Sequence, residues 1–379
     1  MAFVLDEDQA LIRDTAREFC ASRAPVTQLR ALRDDADALG YSADTWREMS
    51  ELGWPGIVIP EAHGGTGFGW QALGVILEET GRTLTASPLY ATVLLGASTL
   101  LRGGSEAQQT EWLPRVAAGE VTLALALEEG PHHAPYGSML TATADGEGYV
   151  LDGAKCFVID GHSADALIVV ARSSGGAGDR NGLSLFIVPA DAIGIARTRT
   201  TMADSRNAAN VTFEGVRVGA GALIGSAGDG AEVLDAVLDG ARIGMAAEML
   251  GAATEAFERT VAYLKERNQF GEVIGSFQGL KHRAADAFTE LEISRSVVMD
   301  ALSALDEGRD DVSRLASLAK ARMSETLNLI SREAIQMHGG IGMTDEYEIG
   351  FFLKRARVQE AAFGGERFHR DRYAALSGY

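Results

Sequence analysis

The sequence has very few cysteines, only Cys20 and Cys156 among 379 residues. Two distant cysteines form neither a disulfide framework nor a metal-binding spacing, so they argue against a disulfide-stabilised secreted domain and fit a reducing cytoplasm. The stretch Met1–Asp8 lacks the charged-then-apolar plan of a signal peptide. No apolar run approaches the roughly 18–20 residues of a membrane span. We therefore expect a soluble, cytoplasmic protein without a bound metal.

Basic residues are also in deficit, with 34 lysines and arginines against 53 aspartates and glutamates and a net charge of -19. This balance argues against nucleic acid or an anionic membrane surface as a partner. An anionic small ligand stays compatible, because a few local basic groups can bind it. Apolar residues make up 46% of the chain and charged residues 23%, an ordinary globular balance in a chain long enough for two or three domains.

Hydrophobic periodicity divides the chain into three blocks. We predict an N-terminal α-helical domain (1–119), a small β domain (120–220) and a C-terminal four-helix bundle (221–379). In the first block, helices are expected at 70–82 and 88–102, and a further helix is expected to end at Pro114.

In the second block, short runs rich in β-branched and aromatic residues alternate with turn clusters, which predicts strands. The predicted strands are 121–127, 149–159, 166–171, 182–188 and 210–218. In the third block the helical period returns, and four long helices joined by short turns imply a bundle. The predicted helices are 233–265, 277–307, 312–337 and 345–362.

The most informative stretch is Arg267–Gln278, in which a charged helix end runs into a glycine-containing loop and then a new amphipathic run. Arg267 offers a planar cation that suits a phosphate or pyrophosphate. Phe270 offers a flat apolar face for a stacked ring. Gln278 can both donate to and accept from one ligand. Each residue taken singly is also compatible with a helix cap or a core contact.

A second stretch, Gln336–Gly342, is rich in glycine, and Gly339 and Gly340 let a backbone come close to a bulky group. In this order the two stretches resemble the acyl-CoA dehydrogenase family, where both hold the ADP half of FAD across a subunit boundary. The resemblance covers essentially the whole chain. It implies FAD as cofactor, Gln336, Gly339 and Gly340 as further FAD-binding residues, and a mainly α fold with a central β domain.

The resemblance also implies which residues contact the flavin ring. The family segment W-I-T-N-G corresponds to Phe157–Gly161, so Phe157 would cover the flavin and Ile159 would meet it through its backbone. The family loop T-E-P-x-A-G-S-D corresponds to Leu127–His133, so Leu127 stands where the family has a hydroxyl. From the residues alone, 157–161 is equally compatible with an ordinary strand carrying an inward Phe.

In the family, a carboxylate removes the acyl α-proton while the β-hydrogen leaves as hydride to the flavin. The matching element here is Lys354–Gly365, which places Phe363 at the base position. Some members carry the base on the long helix, immediately before an arginine that matches Arg242. Here that preceding residue is Ala241, so both base positions lack a carboxylate.

Three nearby carboxylates are weaker candidates for the base. Glu360 and Glu366 lie three residues before and after Phe363, where neighbouring arginines favour ion pairs. Asp239 lies about 200° round the helix from Ala241, so it does not simply replace it. The family match of Asp239 contacts the CoA side, and Asp239 and Arg242 are therefore predicted to bind substrate.

The stretch His338–Arg355 and the later Phe363-Gly-Gly resemble the subgroup that contains the pimeloyl-CoA dehydrogenase small subunit and the heteromeric steroid side-chain acyl-CoA dehydrogenases. This implies a homo- or hetero-tetramer with a homologous chain, an acyl-CoA substrate and an electron-transfer flavoprotein as acceptor. We expect a chain that catalyses or supports α,β-desaturation of a bulky or unusual acyl-CoA. The alternatives are a non-catalytic partner subunit and a same-fold flavin oxidase or monooxygenase.

Overall fold

A computed structural model describes residues 5–379 of the chain. Within that range it has eleven α-helices and ten β-strands. The helices are α1 (Glu7–Arg23), α2 (Val26–Asp34), α3 (Ala43–Glu51), α4 (Trp70–Arg82), α5 (Ser98–Gly103), α6 (Glu106–Ala117), α7 (Gly230–Glu266), α8 (Gln278–Glu307), α9 (Val312–His338), α10 (Ile349–Ala361) and α11 (Glu366–Leu376). The strands are β1 (Leu123–Ala126), β2 (Thr141–Asp145), β3 (Gly148–Ile159), β4 (Ala166–Arg172), β5 (Leu183–Pro189), β6 (Ile195–Thr201), β7 (Asn207–Val218), β8 (Leu223–Ile224), β9 (Asn268–Gln269) and β10 (Glu272–Val273).

The chain forms two compact units, and the long helix α7 contributes to both. Unit 1 contains the described residues up to Ala31, with Trp70–Thr85 and Arg242–Tyr379. Unit 2 contains Leu32–Gly69 and Ala86–Ala241. The helical, β and helical order of the sequence prediction is present. Its domain boundaries at 119/120 and 220/221 stay a prediction.

Unit 2 contains an eight-stranded sheet in the order β6-β7-β3-β2-β4-β5-β8, and β1 pairs with β4 in parallel. The five strands predicted from sequence are confirmed. They could be predicted because their apolar residues supply the core of the sheet. Strands β2, β6 and β8 were not predicted. β6 is an edge strand of mostly polar residues without a buried side chain, and β2 buries only Ala142. The core of the sheet includes Leu151, Val169, Phe186, Val211 and Phe213.

The helix predicted at 88–102 is present, but its first part, Tyr90–Ala97, is π-helical. Every residue of this π-helical segment is buried. The apolar pattern of the sequence therefore did not distinguish its wider winding from that of an α-helix. The prediction that the next helix ends at Pro114 was wrong, since α6 continues through it to Ala117. Burial of Leu113 and Val116 on either side of the proline stabilises that last turn.

Unit 1 is built from long helices, and the predicted α7, α8, α9 and α10 are confirmed. Gly81 of α4 and Gly251 of α7 allow their backbones to approach, since an added Cβ would lie 2.0 Å from the Glu248 carbonyl oxygen and 1.7 Å from that of Glu78. The C-terminal helix α11 was not predicted. His369 is its only buried residue, and its mostly polar sequence gave little sign of a helix packed on the core. No helix among residues 5–379 is long and apolar enough to cross a membrane.

Candidate functional site

The first predicted ligand segment forms a short hairpin at the end of α7, in unit 1. Strands β9 and β10 pair antiparallel, and the two residues between them, Phe270 and Gly271, have φ of 59° and 85°. Positive φ at both central residues is what a tight type I′ hairpin requires. A bulky residue in this conformation is uncommon and costs about 1–2 kcal/mol. The turn places the Phe270 ring at the tip, 89% exposed.

The hairpin holds the predicted groups on an anchored base. The carbonyl of Arg267 accepts the backbone N–H of Ile274 at 2.8 Å, and Ile274 is buried in a small apolar cluster. Arg267 and Gln278, the first residue of α8, are both exposed. The Phe270 ring lies edge-on to Phe277, with centroids 6.3 Å apart. An exposed guanidinium, aromatic face and amide therefore lie on one short segment.

The second predicted segment lies beside the first. Met337 packs in the same apolar cluster as Ile274, and the His338 ring stacks on Tyr263 of α7 at 4.4 Å. Gly339 has φ of 63°, and a Cβ added at Gly339 or Gly340 would meet nothing within 4 Å. The fold thus brings both glycine-containing segments together and leaves their backbone open to an approaching group.

A groove of about 450 Å³ opens next to this surface. It begins at the exposed Gln336 and continues along the chain that follows α9. The groove is lined by Arg332, Ile335, Gln336, Gly342, Met343, Thr344, Asp345, Tyr347, Gly350, Phe351, Leu353 and Lys354. We call the hairpin, Gln278, Gln336 and the two glycines the nucleotide-grip surface.

In unit 2, Phe157 lies at an irregularity of β3. The pairing of β3 with β7 shifts register between Lys155 and Val158, and Phe157 has φ of 50°. A bulge re-aims the side chain that it carries, and the Phe157 ring is 46% exposed. Ile159, at the end of the strand, is half-buried. The Phe157 ring, which is predicted to cover the flavin, therefore projects from the sheet. It does not point inward, as the alternative of an ordinary strand with an inward Phe would require.

Leu127 is buried, and a charged network fixes its backbone. The ammonium of Lys155 donates to the Leu127 carbonyl at 3.0 Å, to Glu129 Oε1 at 2.7 Å and to Ser138 Oγ at 2.9 Å. Glu129 also accepts from the backbone N–H groups of Met139 and Leu140. Burial lowers the pKa of Lys155 to about 8, although the Glu129 carboxylate opposes this. The network anchors the loop after β1 to β3, beside Phe157.

The turn at the predicted base position, residues 360–365, is held in unit 1 by three buried donors. Phe363 has φ of 55° and Gly364 of 103°. The Phe363 carbonyl accepts from Arg242 Nε at 3.3 Å and lies 3.1 Å from His369 Nε2. Lys320 donates to the Gly364 carbonyl at 3.0 Å. We call residues 360–365 the base turn. Its position is fixed, and Phe363-Gly364-Gly365 offers no proton acceptor.

Lys320, which donates to the base turn from α9, has a strongly lowered pKa. It is completely buried in α9 and also donates to the Glu360 carbonyl at 3.1 Å. Burial and the neighbouring Arg242 cation lower its pKa to about 7, while Glu360 acts in the opposite direction. Sequence reasoning missed Lys320 and Lys155. The one signal for Lys320 was its place on the apolar face of α9, four residues after Ala316.

The other predicted base position, Ala241 in unit 2, is also buried and without a proton acceptor. Its carbonyl accepts the hydroxyl of the buried Tyr90 at 2.7 Å. Asp239, two residues earlier, is buried as well. Its charge partly offsets the burial that lowers the pKa of Arg102. Asp239 is thus a buried carboxylate whose charge acts on the Arg102 guanidinium.

The remaining base candidates are both paired with arginines. The Glu360 carboxylate lies 3.2 Å from Arg357, and that of Glu366 lies 2.9 Å from Arg370. Both carboxylates are only half-buried. Such pairs are the ordinary arrangement of charged residues on a helical surface. Their contacts are those of surface residues, and neither carboxylate lies in a closed site.

Comparison with known proteins gives a consistent result over the whole chain. Models of the acyl-CoA dehydrogenase N-terminal, middle and C-terminal domains match residues 6–120, 124–216 and 228–376. The chain is 32% identical to "Probable acyl-CoA dehydrogenase YngJ" of Bacillus subtilis, over 98% of each chain. A variant of the "Tcur3481-Tcur3483 steroid ACAD" is 32% identical over 98% of each chain with a TM-score of 0.88. The "ChsE4-ChsE5 complex from Mycobacterium tuberculosis" is 25% identical, with a TM-score of 0.87 over 100% of this chain and 99% of that one.

Proposed function

The chain belongs to the acyl-CoA dehydrogenase family, whose members are FAD-dependent oxidoreductases acting on CH–CH bonds, and from this premise we propose that it is one half of a heteromeric acyl-CoA dehydrogenase. In this proposal the chain contributes its nucleotide-grip surface to the FAD site. A homologous partner chain supplies the carboxylate that removes the acyl α-proton. The reaction is α,β-desaturation of a bulky acyl-CoA.

The residues present fit FAD. Phe270 and Phe157 are both exposed aromatic rings on left-handed backbone, a conformation that persists where function requires it. Arg267 would pair with the pyrophosphate, and Phe270 would stack on the adenine. Gln278, Gln336, Gly339 and Gly340 would complete that half, and Leu127, Phe157 and Ile159 would lie against the ring. Bound FAD supplies the hydride acceptor for the β-hydrogen.

The observation that carries the proposal is the absence of a proton acceptor at both base positions. Phe363 and Ala241 are buried and apolar, and a general base must come within hydrogen-bond reach of the proton that it removes. The half-buried Glu360 and Glu366 are held by Arg357 and Arg370. A carboxylate from a second chain therefore completes the reaction better than any of these groups.

The steroid and two-chain relatives favour a bulky acyl group and a homologous partner. Arg242, which holds the base turn, and Asp239 would lie on the substrate side. The electron acceptor in this proposal is an electron-transfer flavoprotein, and the compartment is the cytoplasm. A same-fold oxidase is the weaker candidate, because the structural relative "Prolyl Acyl Carrier Protein Oxidase AnaB" is 22% identical and its likeness shows the fold alone.

The proposal is tested by flavin reduction. The chain is purified alone and together with a co-expressed homologous acyl-CoA dehydrogenase chain that carries a glutamate at the position of Phe363. Acyl-CoA esters are added without oxygen, and the visible flavin absorbance is recorded. We expect bleaching in the complex and none in the chain alone, because only the partner can take the α-proton. Bleaching of the chain alone would contradict the proposal.

Two variants of the complex separate binding from chemistry. Arg267→Met in this chain is expected to lower the flavin content of the complex several-fold, since it removes the cation opposite the pyrophosphate. Arg314→Met removes another exposed arginine, in α9, whose pair is a surface contact with Asp311, and it should leave the flavin content unchanged. Equal flavin content in both variants would remove the FAD half of the proposal.

A further inference from the structure

The groove beside the nucleotide-grip surface contains an arginine that has no partner among the described residues. Arg332 and Gln336 both line this groove of about 450 Å³, and both are exposed. They lie four residues apart on α9, so their side chains share one face of the helix. The other two arginines of α9, Arg314 and Arg322, each pair with a carboxylate. The Arg332 guanidinium makes no ion pair or hydrogen bond with any of residues 5–379, so its donors are available to a ligand in the groove.

Neighbouring carboxylates do not compensate the charge of Arg332. Glu333, the next residue, lies 2.5 Å from the Arg283 guanidinium. Asp345 is the one acidic residue among those that line the groove, and its carboxylate accepts from Arg30 at 3.2 Å. Both carboxylates thus already have a cation as partner. In a chain of net charge -19, Arg332 gives this groove a local positive charge, which favours an anionic ligand.

The remaining wall of the groove is mostly apolar and aromatic. Apolar side chains line it from α9, the segment that follows α9, and α10: Ile335, Met343, Phe351 and Leu353. Tyr347 adds an aromatic ring with a hydroxyl. Ligand sites of a few hundred cubic ångströms typically combine such a wall with a few polar groups that fix the orientation of the ligand. A flat apolar body that carries an anionic group, as in a nucleotide, fits this combination.

We propose that Arg332 is a phosphate-binding residue and that this groove receives the ADP half of FAD. The pyrophosphate of FAD carries two negative charges, while Arg267 is the one cation among the predicted FAD-binding residues. Arg332 would supply the second cation, and its planar guanidinium suits two phosphate oxygens at once. Gln336, on the same face of α9, belongs to both the nucleotide-grip surface and the groove, which makes the two continuous. The inference rests on the proposed function, because that function supplies FAD.

The inference predicts a loss of binding without a loss of stability. The exposed Arg332 side chain has no partner among residues 5–379, so Arg332→Met should leave the melting temperature unchanged. The same substitution removes a charge-assisted hydrogen bond to phosphate, and FAD affinity should fall about tenfold. The fall should be largest at low salt, because salt screens an exposed ionic contact. Arg332→Lys keeps the charge and should recover part of the affinity.

The test measures FAD affinity in the form of the protein that holds FAD, whether the chain alone or its complex with the homologous chain. Flavin is removed, FAD is titrated back, and binding is followed by flavin fluorescence at about 0.1 M and about 1 M salt. Arg314→Met is the matched control, since Arg314 is an exposed arginine of the same helix that does not line the groove. It should bind FAD like wild type at both salt concentrations.

The inference is overturned if Arg332→Met binds FAD as tightly as wild type does. It is also overturned if this variant melts at a lower temperature and loses affinity equally at both salt concentrations, as a structural role would produce. In both cases a weakened Arg267→Met would still support the proposed FAD site. If Arg267→Met and Arg332→Met both bind FAD as wild type does, or if wild type holds no FAD in either form, the FAD half of the proposed function fails.

Discussion

At the scale of single residues, Lys320, which holds the base turn, makes the stability of the folded chain depend on pH. Its pKa is about 7 in the folded chain and close to 10.4 in an unfolded one. Between these values the unfolded chain keeps a proton that the folded chain has released, so this group makes stability rise with pH over that window. The physical reason is the cost of a buried ammonium whose partners are two carbonyls and the hydroxyl of Ser324.

Lys320→Met should therefore flatten the pH dependence of stability. We expect the wild-type melting temperature to gain on that of the variant between pH 7 and pH 9. One proton contributes at most about 1.4 kcal/mol per pH unit. Thermal unfolding at both pH values measures the difference, with Lys354→Met, an exposed lysine of α10, as control. Parallel curves for wild type and Lys320→Met would show that the folded chain keeps the proton. Lys155, with a pKa of about 8, should maintain a smaller rise in both proteins.

At the scale of elements, the β9–β10 hairpin has strained backbone at Phe270, the residue that is predicted to stack on the adenine of FAD. Phe270 occupies a position in the turn that favours Asn or Gly, and its exposed ring packs little of its surface in the chain. Phe270→Asn should raise stability by about 0.5–1 kcal/mol. It should also weaken FAD binding in the complex about tenfold, because a stacked ring contributes about 1–3 kcal/mol per base.

Thermal unfolding and an FAD titration of the same preparation measure both effects of Phe270→Asn. Ile193→Asn is the control, since Ile193 is a 95% exposed apolar residue in unit 2 and its loss should not change FAD affinity. If Phe270→Asn binds FAD as wild type does, the strained turn has a role other than nucleotide binding.

Elements with a clear apolar period were predictable from sequence, and polar ones were not. The bundle helices and the five core strands bury regular apolar positions, which the sequence shows directly. β6 and α11 are largely polar at the surface, so their local pattern does not separate them from loops. The π-helical turn at Tyr90–Ala97 is apolar on all sides, and its winding depends on the packing around it.

The candidate site divides in the same way. The exposed groups of Arg267, Phe270 and Gln278 lie within one short segment, so local sequence was enough to single them out, and their roles stay predictions. Lys320 and Lys155 owe their lowered pKa values to burial by distant segments. Burial of that kind depends on tertiary contacts, which no local motif of one sequence contains.

At the scale of the whole molecule, we propose that one reaction is divided between two chains. This chain carries the exposed groups of the predicted nucleotide-grip surface and a base turn held by three buried donors, yet both predicted base positions are apolar. The three donors that hold the base turn bond to the backbone carbonyls of Phe363 and Gly364, so they position the turn independently of the side chain at residue 363. In our proposal, this chain keeps the family fold as a binding framework and the partner chain removes the proton.

The most direct test of this account is α-proton exchange. The chain alone, loaded with FAD, is incubated with an acyl-CoA in D₂O, and loss of the α-proton signal is followed by NMR. We expect exchange at the rate of the protein-free solution, because in our proposal the partner chain supplies the group that removes that proton, and faster exchange once the homologous partner is present. Accelerated α-proton exchange by the chain alone would contradict the account and would direct mutagenesis to Glu360, Glu366 and Asp239.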